Sequence, residues 1–156
     1  MPDCFISFSS RDEPIAKEVF SILTSHNVTV FLAPLSLGPG DRWSEEIKSQ
    51  LRQSSWVIFL ASSDACASSY AQQEIGMAIA LGKRLVPVVW DMAPSQLPGW
   101  LKEVQALDLR GLTIDNANDR LAQIAKGIQE EKAKLFAFVV GAIFLALLVY
   151  LYMSRD

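Results

Sequence analysis

Five short apolar runs punctuate the chain: CFISFS (4–9), VTVFLA (28–33), WVIFLA (56–61), RLVPVVW (84–90) and the weaker VQALDL (104–109). They are rich in Val, Ile, Leu and Phe with little polar alternation, the pattern of strands buried on both faces. Between them, segments 14–25, 43–53, 69–81 and 118–134 place apolar residues at spacings of three and four, which predicts helices. Strand and helix in repeated alternation admit few folds. The expectation is an α/β fold, a five-stranded parallel sheet with helices on both faces. Ligands of such sheets bind beyond the carboxyl ends of the strands. Those ends carry SSRDE, PLSLGPGDRW, SSDACASSY and DMAPSQLPGW, and neither GxGxxG nor GxxxxGK[ST] occurs, so no phosphate loop is expected.

The pattern changes at residue 135. LFAFVVGAIFLALLVYLYM (135–153) runs for 19 residues without a charge, and as a helix it would extend about 28 Å, close to the thickness of a bilayer's hydrocarbon core. A single-pass transmembrane helix at the C-terminal end is expected, with Tyr150 and Tyr152 at the far interface. Because only SRD follows, insertion would come after synthesis. Lys132 and Lys134 on the near side, against Arg155 on the other, orient the soluble domain toward the cytoplasm. No N-terminal signal is expected, since Met1 leads almost directly into the first strand. The division is then a domain at 1–130, a juxtamembrane connection at 131–134, the membrane helix at 135–153 and a tail at 154–156. Ala137 with Gly141, and Ala142 with Ala146, would let two such helices approach closely.

A hydrophobic content of 51% with 20% charged residues excludes disorder. The net charge of −3, with no basic cluster longer than Lys83-Arg84, excludes nucleic acid as a partner. Cys4 and Cys66 are too few and too far apart for a disulfide framework or a zinc site, and no metal site is expected. His26 closes a helical segment, where a partly positive imidazole suits the helix dipole. Glu74 is harder to place. In SSYAQQEIGMAIALGK (68–83) it is the one carboxylate, and helical spacing puts it in a stripe with Tyr70, Ala71, Met77, Ala78 and Leu81. It serves chemistry, or it tilts to solvent, or it pairs with Lys83 or Arg84.

DCFISFSSRD, then LGPGDRWSEEIKSQLRQSSWVIFLAS, then SSYAQQEIGMAIALGKRLVPVVW resemble, in this order, a Toll/interleukin-1 receptor (TIR) domain of the prokaryotic type across about residues 1–130. The resemblance implies a flavodoxin-like sheet. For Glu74 it implies the essential carboxylate of enzymes that cleave nicotinamide from NAD+, with NAD+ as substrate and no cofactor. The implied substrate-binding residues are Phe8, Ser9, Ser10 and Arg11 after the first strand, Leu37 and Trp43 in the second loop, and Ser69 and Tyr70 ahead of Glu74. Tyr70 stands where the family often has tryptophan, and Ala33 where it often has an acidic residue. Shared sites between self-associating TIR domains, and a role in antiviral defence or cell death, follow from the same resemblance.

Such a site needs few parts. Cleavage expels a neutral base from a cationic ring, so no acid has to protonate the leaving group, and the requirement is to stabilise a positive sugar. A carboxylate beside the ribose does so by charge and by hydrogen bonds. An apolar surround strengthens its field but raises its pKa. Trp43 would stack on the nicotinamide or staple its loop to the core, and Arg11 and Asp12 would meet the substrate or only cap and pair at the surface. Two functions of other classes stay open: a non-catalytic TIR interaction module, and a TIR-triggered effector whose helices disrupt the membrane.

Overall fold

The computed structural model describes residues 1–34 and 45–154. Five parallel strands, β1 (Cys4–Phe8), β2 (Val30–Pro34), β3 (Trp56–Leu60), β4 (Arg84–Val89) and β5 (Leu107–Asp108), form one sheet in the order β2-β1-β3-β4-β5. This is the flavodoxin-like order, with its switch point between β1 and β3. Helices α1 (Glu13–Ser25), α2 (Glu45–Gln53), α3 (Ser63–Ala67), α4 (Ser69–Ala80) and α5 (Ile114–Met153) make the crossovers and the C-terminal arm.

The two faces of the sheet carry separate cores. Phe5, Val57, Phe59, Leu85 and Val89 point toward Leu51 of α2 and Ala71, Ile75 and Ala78 of α4. Cys4, Ile6, Phe8, Ile58, Leu60 and Val88 point toward Ala16, Val19 and Leu23 of α1 and Leu121, Ala125 and Ile128 of α5. Alternation along each strand produces this division, and burial on both faces explains why the strands show no regular polar alternation.

Differences from the sequence reading have local causes. The second run begins pairing at Val30 rather than at residue 28, because the Val28 amide is committed to closing α1. It donates to the Leu23 carbonyl at 3.1 Å, and Asn27 donates to Thr24 O at 3.0 Å. Asn27 adopts φ 61° between them, completing a Schellman cap. Gly82, at φ 64°, closes α4 in the same way, with Lys83 N on Ala78 O and Gly82 N on Ile79 O. The fifth strand shrinks to two residues because a turn bond from Val104 N to Leu101 O, 3.0 Å, holds the chain ahead of it. Helix α3 was not foreseen, since five residues are too few to show a period. Leu81 leaves the expected stripe on α4 as an exposed cap residue, and Ile75 takes its place.

Thr113 caps α5 by accepting from Asn116 N at 3.3 Å, and the helix then runs unbroken for 40 residues, about 60 Å. Its first half packs on the sheet and its second half is an apolar arm. The most apolar stretch is wholly exposed, so it is not a core helix of this domain. By length and composition this one helix suffices to cross a membrane.

Candidate active site

Ser7 is the one polar side chain of β1, a central strand, and alternation directs it to the same face as Phe5. That face is covered by α4, which starts where Ser68 accepts from Ala71 N at 3.4 Å. One turn later Glu74 comes to lie over the end of β1. Ser7 Oγ donates to Glu74 Oε2 at 2.5 Å. Both residues are closed from solvent, Ser7 at 0% and Glu74 at 2% exposure. Glu74 Oε1 has no hydrogen-bond partner among the described residues.

Glu74 is therefore neither tilted to solvent nor paired with its basic neighbours. Lys83 Nζ donates to the Arg52 carbonyl. Arg84 lies 4.5 Å over the Trp56 ring and binds Glu131 Oε2 at 3.2 Å. With no cation against it among the described residues, burial pushes the Glu74 carboxyl up to about 8, and the Ser7 hydroxyl only partly opposes this. At neutral pH the group is mostly an uncharged acid. A cation arriving beside it would convert it to a carboxylate, because attraction favours the charged form.

The other expected site residues divide. Ser9 is half-buried and caps a 3-10 turn at Ser10–Asp12, its Oγ accepting from Arg11 N at 3.4 Å, while Ser10 is exposed. Arg11 reaches Asp64 of α3 at 3.2 Å, with 76% and 51% of the two side chains exposed, an ion pair worth under about 1 kcal/mol. Asp12 is buried and not a surface residue: Ser62 Oγ donates to its Oδ2 at 2.5 Å and accepts from Ala65 N at 3.1 Å. Desolvation, with Asp91 and Asp64 nearby, raises the Asp12 carboxyl despite the Ser62 hydrogen bond. The loop after β1 is thus tied to the loop after β3, and Ser63 N donates to Asp91 Oδ2 at 3.0 Å, which links the loop after β4. Phe8 points to the α1 and α5 face, opposite Glu74. Ser69 is exposed at the start of α4, and Tyr70 is half-buried against the Glu74-side core. Leu37 and Trp43 lie outside the described residues.

Sequence reasoning passed over Ser7. The available signal was a serine in an otherwise apolar strand, two residues after Phe5 and so on the same face. Both cysteines are buried and free, their thiols raised by burial to about 12 for Cys4 and about 11 for Cys66, which makes them inert packing residues. His26 caps α1, its Nδ1 lying 2.8 Å from Ile22 O. Among the described residues, no group of three His, Cys, Asp or Glu is placed to hold a metal.

The profile of the TIR domain family matches residues 4–132. A probable 2′ cyclic ADP-D-ribose synthase from Brachypodium distachyon is 30% identical over 83 residues, covering 53% of this chain and 37% of that protein. The aligned part is thus well under half of the plant protein. Among solved structures, the TIR domain of the Toll-related receptor TRR-2 from Hydra magnipapillata superposes with a TM-score of 0.65 at 18% identity, covering 83% of this chain and 99% of the other. The TIR domains of the activated Roq1 resistosome give 0.66 at 18% identity, covering 82% and 99%. At these identities the two structures establish the fold, and the profile match establishes the family. The chain belongs to the TIR domain family.

Proposed function

We propose that this TIR domain cleaves the nicotinamide–ribose bond of NAD+, by hydrolysis or cyclisation, with Glu74 as the essential carboxylate. The observation that carries the reading is the Glu74 carboxyl itself, buried at the carboxyl end of the sheet, held by Ser7 alone among the described residues and with one oxygen uncommitted. Folding gains nothing from placing an acid there, because a buried ionisable group without a countercharge is destabilising. The site suits a cationic substrate. A nicotinamide ribosyl cation would draw Glu74 into its charged form, and the carboxylate would then oppose the positive charge that grows on the ribose as the bond breaks. Ser7 is a positioning residue in this scheme, fixing one carboxyl oxygen so that the other faces the sugar. The partial similarity to a probable cyclic ADP-ribose synthase supports the same chemistry.

The chain is further proposed to be anchored in a membrane by residues 135–153 with the TIR domain cytoplasmic, to act through self-assembly, and to serve antiviral defence or cell death. The exposed apolar arm of α5 supports the anchor.

The test is nicotinamide release from NAD+ by the full chain reconstituted in liposomes, with Glu74→Gln as the comparison. Release by the parent protein and none by a Glu74→Gln protein that still melts cooperatively is expected. Equal turnover by the variant would remove Glu74 from the chemistry.

A further inference from the structure

Helix α5 runs antiparallel to the strands, so it leaves the domain at the edge where the strands begin. Its last contacts with the sheet are there: Lys132 Nζ lies 3.0 Å from Asp3, just ahead of β1, and Glu131 Oε2 accepts from Trp56 Nε1, at the start of β3, at 3.1 Å. At this edge a cavity of about 540 Å³ opens, lined by Asp3, Trp56, Glu131, Lys132, Lys134 and Leu135 among others. Leu135 is also the first residue of the 19-residue apolar run. Glu131 precedes it by four residues, about 6 Å along the helix, and the polar layer of a bilayer extends some 5–8 Å beyond the hydrocarbon on each side. The cavity thus stands at headgroup depth.

Its polar groups are unevenly engaged. Asp3 Oδ2 is saturated by Thr29 N at 2.9 Å, Thr29 Oγ1 at 2.5 Å and Lys132 Nζ at 3.0 Å. Glu131 commits Oε2 to Trp56 and Arg84, while Oε1 has no partner among the described residues. Lys134 makes no ion pair among the described residues. Glu131 and Lys134 are three apart on one helix, so their side chains emerge roughly 5–6 Å from each other on one face. A carboxylate oxygen and an ammonium without ion-pair partners among the described residues thus line one cavity, together with the Trp56 indole and the first residue of the apolar run, Leu135.

We propose that this cavity binds a phospholipid whose headgroup joins a phosphodiester to a primary ammonium through two carbons, the phosphatidylethanolamine class. The lipid ammonium donates to Glu131 Oε1, the phosphate accepts from Lys134 Nζ, and the acyl chains follow the helix surface from Leu135 onward. A choline headgroup has no N–H to donate, and a glycerol headgroup brings no cation to Glu131. The site rests on the membrane reading of residues 135–153.

The test reconstitutes the full chain in liposomes of phosphatidylcholine containing equal mole fractions of phosphatidylethanolamine and phosphatidylglycerol. Lipid retained after gentle detergent extraction is identified by native mass spectrometry, and insertion is checked separately by resistance to alkaline carbonate. One ethanolamine lipid per chain, enriched about fivefold over each competitor, is expected. Lys134→Gln should weaken retention, and Glu131→Gln should erase the preference for ethanolamine over choline, with both variants still inserted. A carbonate-resistant parent protein that shows no headgroup preference overturns the lipid site and leaves the anchor standing. A protein that carbonate extracts overturns the anchor, and the site with it.

Discussion

Ser7 and Glu74, 67 residues apart in the chain, meet through a 2.5 Å hydrogen bond in an interior where, among the described residues, no cation faces the carboxyl. The strand end supplies a donor and the helix supplies an acid, and neither is satisfied by anything else among the described residues. This pairing makes definite demands on the behaviour of the protein.

The first concerns pH. Glu74 titrates near 8 in the folded chain and near the ordinary 4.5 when unfolded, so the native state holds the extra proton between those values. Stability from this group is fully present below about pH 4.5 and is lost as pH rises toward 8. Comparing melting temperature against pH for the parent and Glu74→Gln should show an extra decline across this window in the parent alone. If the charged carboxylate does the chemistry, kcat/KM should rise to a plateau above about pH 8, while kcat, reporting the complex with a cationic substrate, should level off at lower pH. Coincident melting curves for the two proteins would remove the buried titration.

Replacing Ser7 tests the donor. The Ser7 hydrogen bond is what lowers the Glu74 carboxyl against desolvation, so Ser7→Ala should move the kcat/KM midpoint above that of the parent. At pH 7 kcat/KM would fall below the parent's and recover in part at pH 9, since below its midpoint a weaker acid is charged less often. A structural role alone predicts lower stability, about 1–2 kcal/mol for a lost buried hydrogen bond, with an unmoved pH profile. The profile therefore separates the two roles.

Assembly gives a third prediction. Residues 34–43 follow β2 in sequence, and β2 pairs with β1 and ends at Pro34, opposite Phe8; in such sheets ligands bind beyond the carboxyl ends of the strands. If the loop of one subunit completes the site around Glu74 of the next, Gly40→Arg and Glu74→Ala proteins, each inactive alone, should regain part of the activity when mixed in the same liposomes. If residues 135–153 anchor the chain in one plane, they raise the effective concentration, so deleting residues 135–156 should make turnover depend more steeply on protein concentration. Rates linear in concentration for the truncated domain, with no rescue in the mixture, would place the whole site within one chain.

The fold was largely legible because buried parallel strands announce themselves: the runs beginning at Cys4, Trp56 and Arg84 match β1, β3 and β4 to within a residue. Departures arose where a local hydrogen bond outranked an apolar pattern, as when the Val28 amide closes α1 instead of entering the sheet. Glu74 was visible as a charge in an apolar stripe, yet its burial was not, because helical spacing cannot tell a stripe's centre from its margin. Arg84 looked like a partner for it by proximity in sequence. Packing sends Arg84 to the opposite face, onto Trp56 and Glu131. Ser7 was overlooked since contacts between distant segments depend on register, which a single sequence does not display.

The direction in which the domain faces follows from α5. Three contacts clamp the helix to the edge where the strands begin, Lys132 to Asp3, Glu131 to Trp56 and Glu131 to Arg84, and it continues without a break into the apolar arm. A membrane holding that arm therefore lies against the amino edge of the sheet. Ser7 and Glu74 lie toward the carboxyl edge, Ser7 about 10 Å along β1 from Cys4, on the side away from such a membrane. Fluorescent labels on Arg52→Cys, at the end of α2 beside the amino edge, and on Ser10→Cys, at the carboxyl edge, test this in liposomes with nitroxide-tagged headgroups; the native cysteines are buried and should label poorly. Strong quenching at position 52 and little at position 10 is expected. Equal quenching would mean that the helix bends at residues 131–134 and lets the domain lie on its side.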